Sequence, residues 1–112
     1  MALVIRLLGY GFVTNTAPPA LYTVPTGTGV LGAIVNNIRL VNVSGAAGTI
    51  NLYFTPSGGS QVRILDRDKQ IAANDLLVVN PDLTMAPGDK IEADPTGGSI
   101  YVDYVISGVE QK

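Results

Sequence analysis

The fold this chain predicts is all-β: two antiparallel sheets packed face to face as a sandwich, one domain over residues 1–112. Three observations predict it. Short apolar segments recur at about 8–12-residue spacing, the rhythm of sandwiches and barrels. Gly, Pro, Asn or Asp closes nearly every one of them. In the clearest two, TINLYFT at 49–55 and SIYVDYVISG at 99–108, side chains alternate with the period of two that strands impose. Helix has almost no room, beyond one turn around Ala72–Asp75.

The elements follow in order. Leu3, Ile5 and Leu7 alternate with Val4, Arg6 and Leu8. With both sets largely apolar, this reads as a first strand covered on both faces, which Gly9 and Gly11 loosen. Asn15 to Pro19 read as a polar loop, so residues 1–19 form an N-terminal strand plus a contact arm. Leu21 to Val24 make a short strand stopped by Pro25. Ala33 to Val43 form a long one, with Ile34, Ile38 and Leu40 on one side and Val41 and Val43 on the other. A bulge near Asn36–Asn37 accounts for that switch. After the small residues of Ser44–Gly48, Ile50, Leu52 and Phe54 share one face, opposite Thr49, Asn51 and Tyr53. Val62 and Ile64 continue the alternation beyond Pro56–Ser60. Leu76–Val79 reads as a buried apolar run. Pro87–Gly88–Asp89 is a strong turn. Ile91 and Ala93 then face in, and Pro95–Gly98 turns the chain once more. Ile100, Val102, Tyr104 and Ile106 form the longest clean inward face. Eight to nine strands result, with a core on Ile50, Leu52, Phe54, Ile91, Ile100, Val102, Tyr104 and Ile106.

Composition narrows the chemistry. The chain has no His and no Cys, which removes the commonest general base, thiolate nucleophiles and thiolate metal sites. Its five single serines, Ser44, Ser57, Ser60, Ser99 and Ser107, have no imidazole to activate them. Net charge is −2 and only 14% of residues are charged, against about 25% in ordinary domains. Lys and Arg are scattered, so no basic patch addresses nucleic acid. The N-terminal MALVIRLLGYGFV lacks a leading basic region and is too short to span a bilayer, so neither export nor a membrane is expected. So sparse a charge favours association.

Motif matches dissolve in their context. Gly27-Thr28-Gly29-Val30-Leu31-Gly32 fits G-x-G-x-x-G, but the residues after it read as strand, and a helix must follow for pyrophosphate to bind. Asp66-Arg67-Asp68-Lys69 begins like a calcium loop and continues Gln70-Ile71-Ala72, without the further oxygens needed; it reads as a solvated turn. Asp75, Asp82, Asp89 and Asp94 lie at strand ends, where Asp commonly caps turns. Asn42-Val43-Ser44 is a glycosylation sequon only in a secreted chain. No catalytic residue, cofactor or metal ligand is therefore assigned. Tyrosine is the remaining feature. Tyr53, Tyr101, Tyr10 and Tyr22 read as amphipathic residues on half-exposed strands or, more sharply, as interface anchors, for which Tyr is enriched.

The order of segments resembles small virion structural proteins of tailed bacteriophages. The similarity rests on LYTVP (Leu21–Pro25), the strand Ile38–Asn42 with its Gly/Ala/Ser turn, and Thr49–Tyr53. It continues through Ile71–Leu77, Leu83–Ala93 and Val105–Glu110, covering roughly residues 20–110. Its motifs are strand-and-turn signatures. The resemblance implies a jelly-roll sandwich without enzymatic activity, located in the virion. It implies a decoration or cement protein on the outside of the head, whose partner is the major capsid protein. Copies of the chain itself are expected as partners from the low charge, a trimer included, since sheet edges pair easily. The alternative it implies is a tail, fibre or baseplate component that binds host glycans. The Pro18–Pro19 loop and the apolar first strand are individual to this chain.

Overall fold

A computed structural model describes residues 3–14, 20–27, 29–96 and 100–112, Arg6 by its backbone only. Ten strand segments run through it: β1 (Leu3–Thr14), β2 (Ala20–Thr23), β3 (Gly32–Asn42), β4 (Gly48–Thr55), β5 (Val62–Arg63), β6 (Lys69–Ile71), β7 (Leu76–Val79), β8 (Leu83–Met85), β9 (Lys90–Thr96) and β10 (Tyr101–Gln111). Every pairing is antiparallel.

The first sheet runs β1-β10-β3, with β7 and β8 successively along the far edge of β3. The second runs β2-β9-β4, with β5 and β6 along the far edge of β4. Counted as interrupted strands, β5 with β6 and β7 with β8 leave eight. The first sheet then holds strands one, eight, three and six, and the second two, seven, four and five. That order is the jelly roll, two Greek keys closed on each other, as the sequence predicts.

Between the sheets lies one core, including Val35, Ile38, Leu40, Ile50, Leu52, Ile91, Ile100, Val102 and Ile106, each almost wholly buried. Phe54 and Tyr104 pack against it half-buried. The period-two reading of β4, β9 and β10 therefore holds.

The first sheet is creased. Opposite Ser107–Gly108 of the regular strand β10, β3 carries an extra residue at Asn36–Asn37, the bulge expected there. At the same level β1 carries one at Leu8. Beyond β3, Asn80–Asp82 interrupts the edge, and the Asn37 amide donates to Asn80 Oδ1 at 2.9 Å. Gly108 sits on the crease, where a Cβ would fall onto the Ile34 carbonyl oxygen.

The crease corrects one face assignment. Because the extra residue reverses parity, Ile34 cannot share a side with Ile38; Ala33 and Val35 point inward and Ile34 outward. Three further expectations change. β1 is not covered on both faces: Leu3, Ile5 and Leu7 stand exposed, because among the described residues no third layer lies over this sheet. It runs on through Gly9 and Gly11 to Thr14, with its irregularity at Leu8. β7 is an edge segment with Leu76 and Val78 outward, not a buried run. β9 runs on through Pro95, which is tolerated because β2 pairs only with Lys90–Glu92 and leaves that stretch an edge. Ala72–Asp75 is a turn, closed by Asp75 N–H donating to the Ala72 carbonyl at 3.2 Å. The Asn15–Pro19 loop, Thr28, Ser99 and the Gly97–Gly98 part of the predicted turn lie outside the described residues.

Candidate functional site

The two outer faces differ. On the second sheet, Thr49, Asn51, Tyr53 and Thr55 of β4 meet Lys90, Glu92, Asp94 and Thr96 of β9 row by row. Most of these polar groups are spent on one another or on adjoining segments. Thr49 and Thr96 hydroxyls lie 2.7 Å apart, and Glu92 accepts from the Thr55 hydroxyl and from Gln61 at 3.2 Å. Asn51, nearly buried, is the hub. Its amide donates to Asp68 Oδ1 at 3.0 Å, while its oxygen accepts from Arg63 at 2.6 Å and from the Asp68 backbone N–H at 2.9 Å.

Those bonds set the local titration. The Asn51 amide, with Thr96 and the nearby Arg67 and Arg63, holds Asp68 below the ordinary carboxylate value. The Thr55 hydroxyl does the same for Glu92, against the opposing effect of burial. The predicted solvated turn at Asp66–Lys69 is thus tied to the sheet, with Asp68 in the left-handed region at φ 52°.

The outer face of the first sheet is apolar. From edge to edge its rows read Phe12, Asp103, Val41, Leu76; then Tyr10, Val105, Arg39, Val78. Across the crease they read Leu7, Ser107, Asn37; then Ile5, Val109, Ile34, Thr84. Ile5 is 88% exposed, Tyr10 73% and Phe12 54%. Phe12 and Tyr101 stack at 4.6 Å between ring centroids and 14° between planes. Arg39 and Asp103 are the only charges on this face among the described residues.

The four tyrosines separate accordingly. Tyr10 and Tyr101 lie on the apolar face. Tyr53 lies on the opposite sheet, with the Arg63 guanidinium 5.1 Å over its ring. Tyr22 is 8% exposed and its hydroxyl donates to buried Glu110 at 2.8 Å, so it belongs to the core and not to a surface. The period-two pattern did not reveal this, because β2 carries a bulge at Leu21 that resets its faces.

Other motif residues have local duties. Gly27 and Gly29 take positive φ values of 70° and 81°, and strand β3 rather than a helix follows them. The sequon residue Asn42 is fully buried, its amide donating to the carbonyls of Ala46 at 2.8 Å and Ala72 at 3.2 Å. Asp89 caps its own turn, accepting from Ser57 N–H and Ala86 N–H at 2.9 Å each. Its carboxylate borders a pocket of roughly 350 Å³ between Leu31–Ile34 and Thr84–Ala86, and both of its oxygens are already engaged there. No group of three or more acidic side chains placed to hold a metal occurs among the described residues. No protein-family model matches this chain, and no curated protein does.

Sequence reasoning missed the apolar sheet face, although its signal was present. β1, β7 and β10 are apolar at both parities, whereas β4 and β9 alternate cleanly. A strand apolar on both sides is covered on both sides, by its own chain or by something else.

Proposed function

We infer that this chain is a non-enzymatic structural protein of a tailed-phage virion, a decoration or cement protein that binds the outer surface of the head. The observation that carries the reading is the contrast between the two outer faces. On the second sheet Thr49, Asn51, Thr55, Glu92 and Thr96 are hydrogen-bonded to one another or to adjoining loops, while the first leaves four strands' width of apolar side chains uncovered. Contiguous apolar surface on that scale marks a protein interface. The low charge, and a segment order that resembles phage virion proteins, support reading that interface as one within an assembled particle.

The mechanism is mass action. A protein that binds only the assembled shell stabilises it by RT ln(1 + [L]/Kd), about 2.7 kcal/mol at a hundredfold excess over Kd, and repeated copies add avidity. Particles assembled without it rupture at lower temperature than complete ones; equal rupture temperatures refute the reading. Copy number separates it from the tail or fibre alternative: a cement protein is present in many copies per particle, a tail part in few. Against a glycan platform on the second sheet stands the Arg63 guanidinium over the Tyr53 ring.

A further inference from the structure

We propose that a second copy of this chain covers the apolar sheet, the two first sheets packing face to face about a two-fold axis that pairs Arg39 of each copy with Asp103 of the other. The proposal rests on the preceding one for the burial of this face in an assembly; it gives the apolar sheet to a second copy, so that the dimer meets the head through its remaining surface.

Three observations select this occupant. The first is area. With strands about 4.8 Å apart and residues about 3.3 Å apart, four strands of about eleven residues present a face of roughly 700 Å². A standard specific interface buries about 800 Å² per partner, so the sheet alone is nearly the size that a dimer requires.

The second is charge. Arg39 and Asp103 occupy adjacent strands one row apart, since Arg39 pairs with Val105 and Asp103 with Val41. Neither side chain makes an ion pair or hydrogen bond within the described chain. Burying either one alone is costly. They form one diagonal of a diamond whose other corners are Val41 and Val105. A two-fold axis in the plane of the interface, through the centre of that diamond and at right angles to the Arg39–Asp103 diagonal, brings each guanidinium over the other copy's carboxylate. The same operation seats Val41 and Val105 beside the axis. An isologous interface needs this self-complementarity: where one residue meets another, the reverse contact forms as well.

The third is shape. The centre of the face is built from the short valines Val41 on β3 and Val105 on β10, and the bulky Tyr10, Phe12 and Tyr101 lie toward the β1 edge. A flat valine centre beside larger aromatic side chains suits a second sheet laid across it.

The test uses the purified chain alone, by light scattering after size exclusion, so it is independent of any capsid. The wild type elutes at twice its 11.7 kDa mass. Val105→Glu puts two carboxylates at the axis and gives a folded monomer, with circular dichroism and melting checked in parallel. Arg39→Asp sets carboxylate against carboxylate and raises the dissociation constant about tenfold or more. The swap Arg39→Asp with Asp103→Arg restores dimerisation. A wild-type monomer at all soluble concentrations, a trimer, or a dimer indifferent to Val105→Glu and Arg39→Asp overturns the proposal. A dimer that leaves head stability unchanged would instead overturn the cement reading and leave this one standing.

Discussion

Asn51 and Asp68 hold each other by two hydrogen bonds running in opposite senses: side-chain amide to carboxylate at 3.0 Å, and backbone N–H to side-chain amide oxygen at 2.9 Å. The pair fastens the loop between β5 and β6 to the middle of β4. Asn51→Leu removes both bonds and the acceptor for Arg63. Asp68 and Arg63 are exposed and turn to water instead, so the urea midpoint falls modestly, and the amides of residues 64–68 exchange faster with deuterium. Unchanged exchange in that loop would show that the pair does not hold it.

Asn42 plays the matching role at the other end of the second sheet's partner. It is buried, and it ties Ser44, Ala46 and Ala72 together. Asn42→Val keeps the volume and strands these backbone groups, costing about 2–3 kcal/mol. Asn42→Asp loses the donor and adds a buried charge, and is the worse of the two. Thermal melts of both variants check the ranking.

Acid sensitivity follows from Glu92. The Thr55 hydroxyl, the largest influence on it, lowers its folded value from the ordinary 4.5. On acidification the unfolded chain therefore takes up a proton before the folded one does. The stabilisation is complete above 4.5 and is lost as pH falls through the depressed folded value. Thr55→Val flattens that loss, seen as a smaller drop in urea midpoint between neutral and acidic pH. Asp68 acts with the same sign.

Val102 and Val105 lie three residues apart on β10 and face opposite ways, one fully buried and the other exposed. Val102→Asp buries a carboxylate with no partner, at a cost of about 3–5 kcal/mol against a total of about 5–15 kcal/mol for a domain. It yields little folded protein, whereas Val105→Glu folds. Soluble, folded Val102→Asp would refute the strand register.

Gly108→Ala tests the crease. The added Cβ meets the Ile34 carbonyl and, at 2.9 Å, Leu8 Cδ1, and overpacking of this kind costs about 1–3 kcal/mol. A melting temperature equal to wild type would mean that the crease opens freely.

The strands with one wet face, β4 and β9, were legible from alternation alone, and so was the inward set of β10. The β3 bulge lies where it was expected, near Asn36–Asn37, but the switch it was invoked for, from Leu40 to Val41, is ordinary alternation; the parity that it reverses is that of Ala33 and Val35 against Ile38 and Leu40. The sequence did not show which residues the bulge turned outward, and Ile34 was placed on the wrong side. The candidate site was less legible. Alternation cannot tell a strand sandwiched within its own fold from one awaiting an outside partner, so β1 read as doubly covered. Tyr22 and Tyr101 look alike in sequence, and only the pairing of β2 with β9 sends one into the core. The asparagine hubs at 42 and 51 leave no periodic trace, since each works through backbone groups distant in the chain.

The paired bulges at Leu8 and Asn36–Asn37 also govern what lengths this sheet can take. Each flanks the uninterrupted strand β10 at the same level, and each exchanges inward and outward residues for the remainder of its strand. Removing the extra residue itself, Asn36 in β3 or Leu8 in β1, would take out the bulge and leave a regular strand with all the remaining side chains on their present faces. Removing one residue elsewhere in either strand would turn the stretch beyond it inside out. The crease is thus the one level at which this sheet can lose a single residue per strand and keep its sidedness.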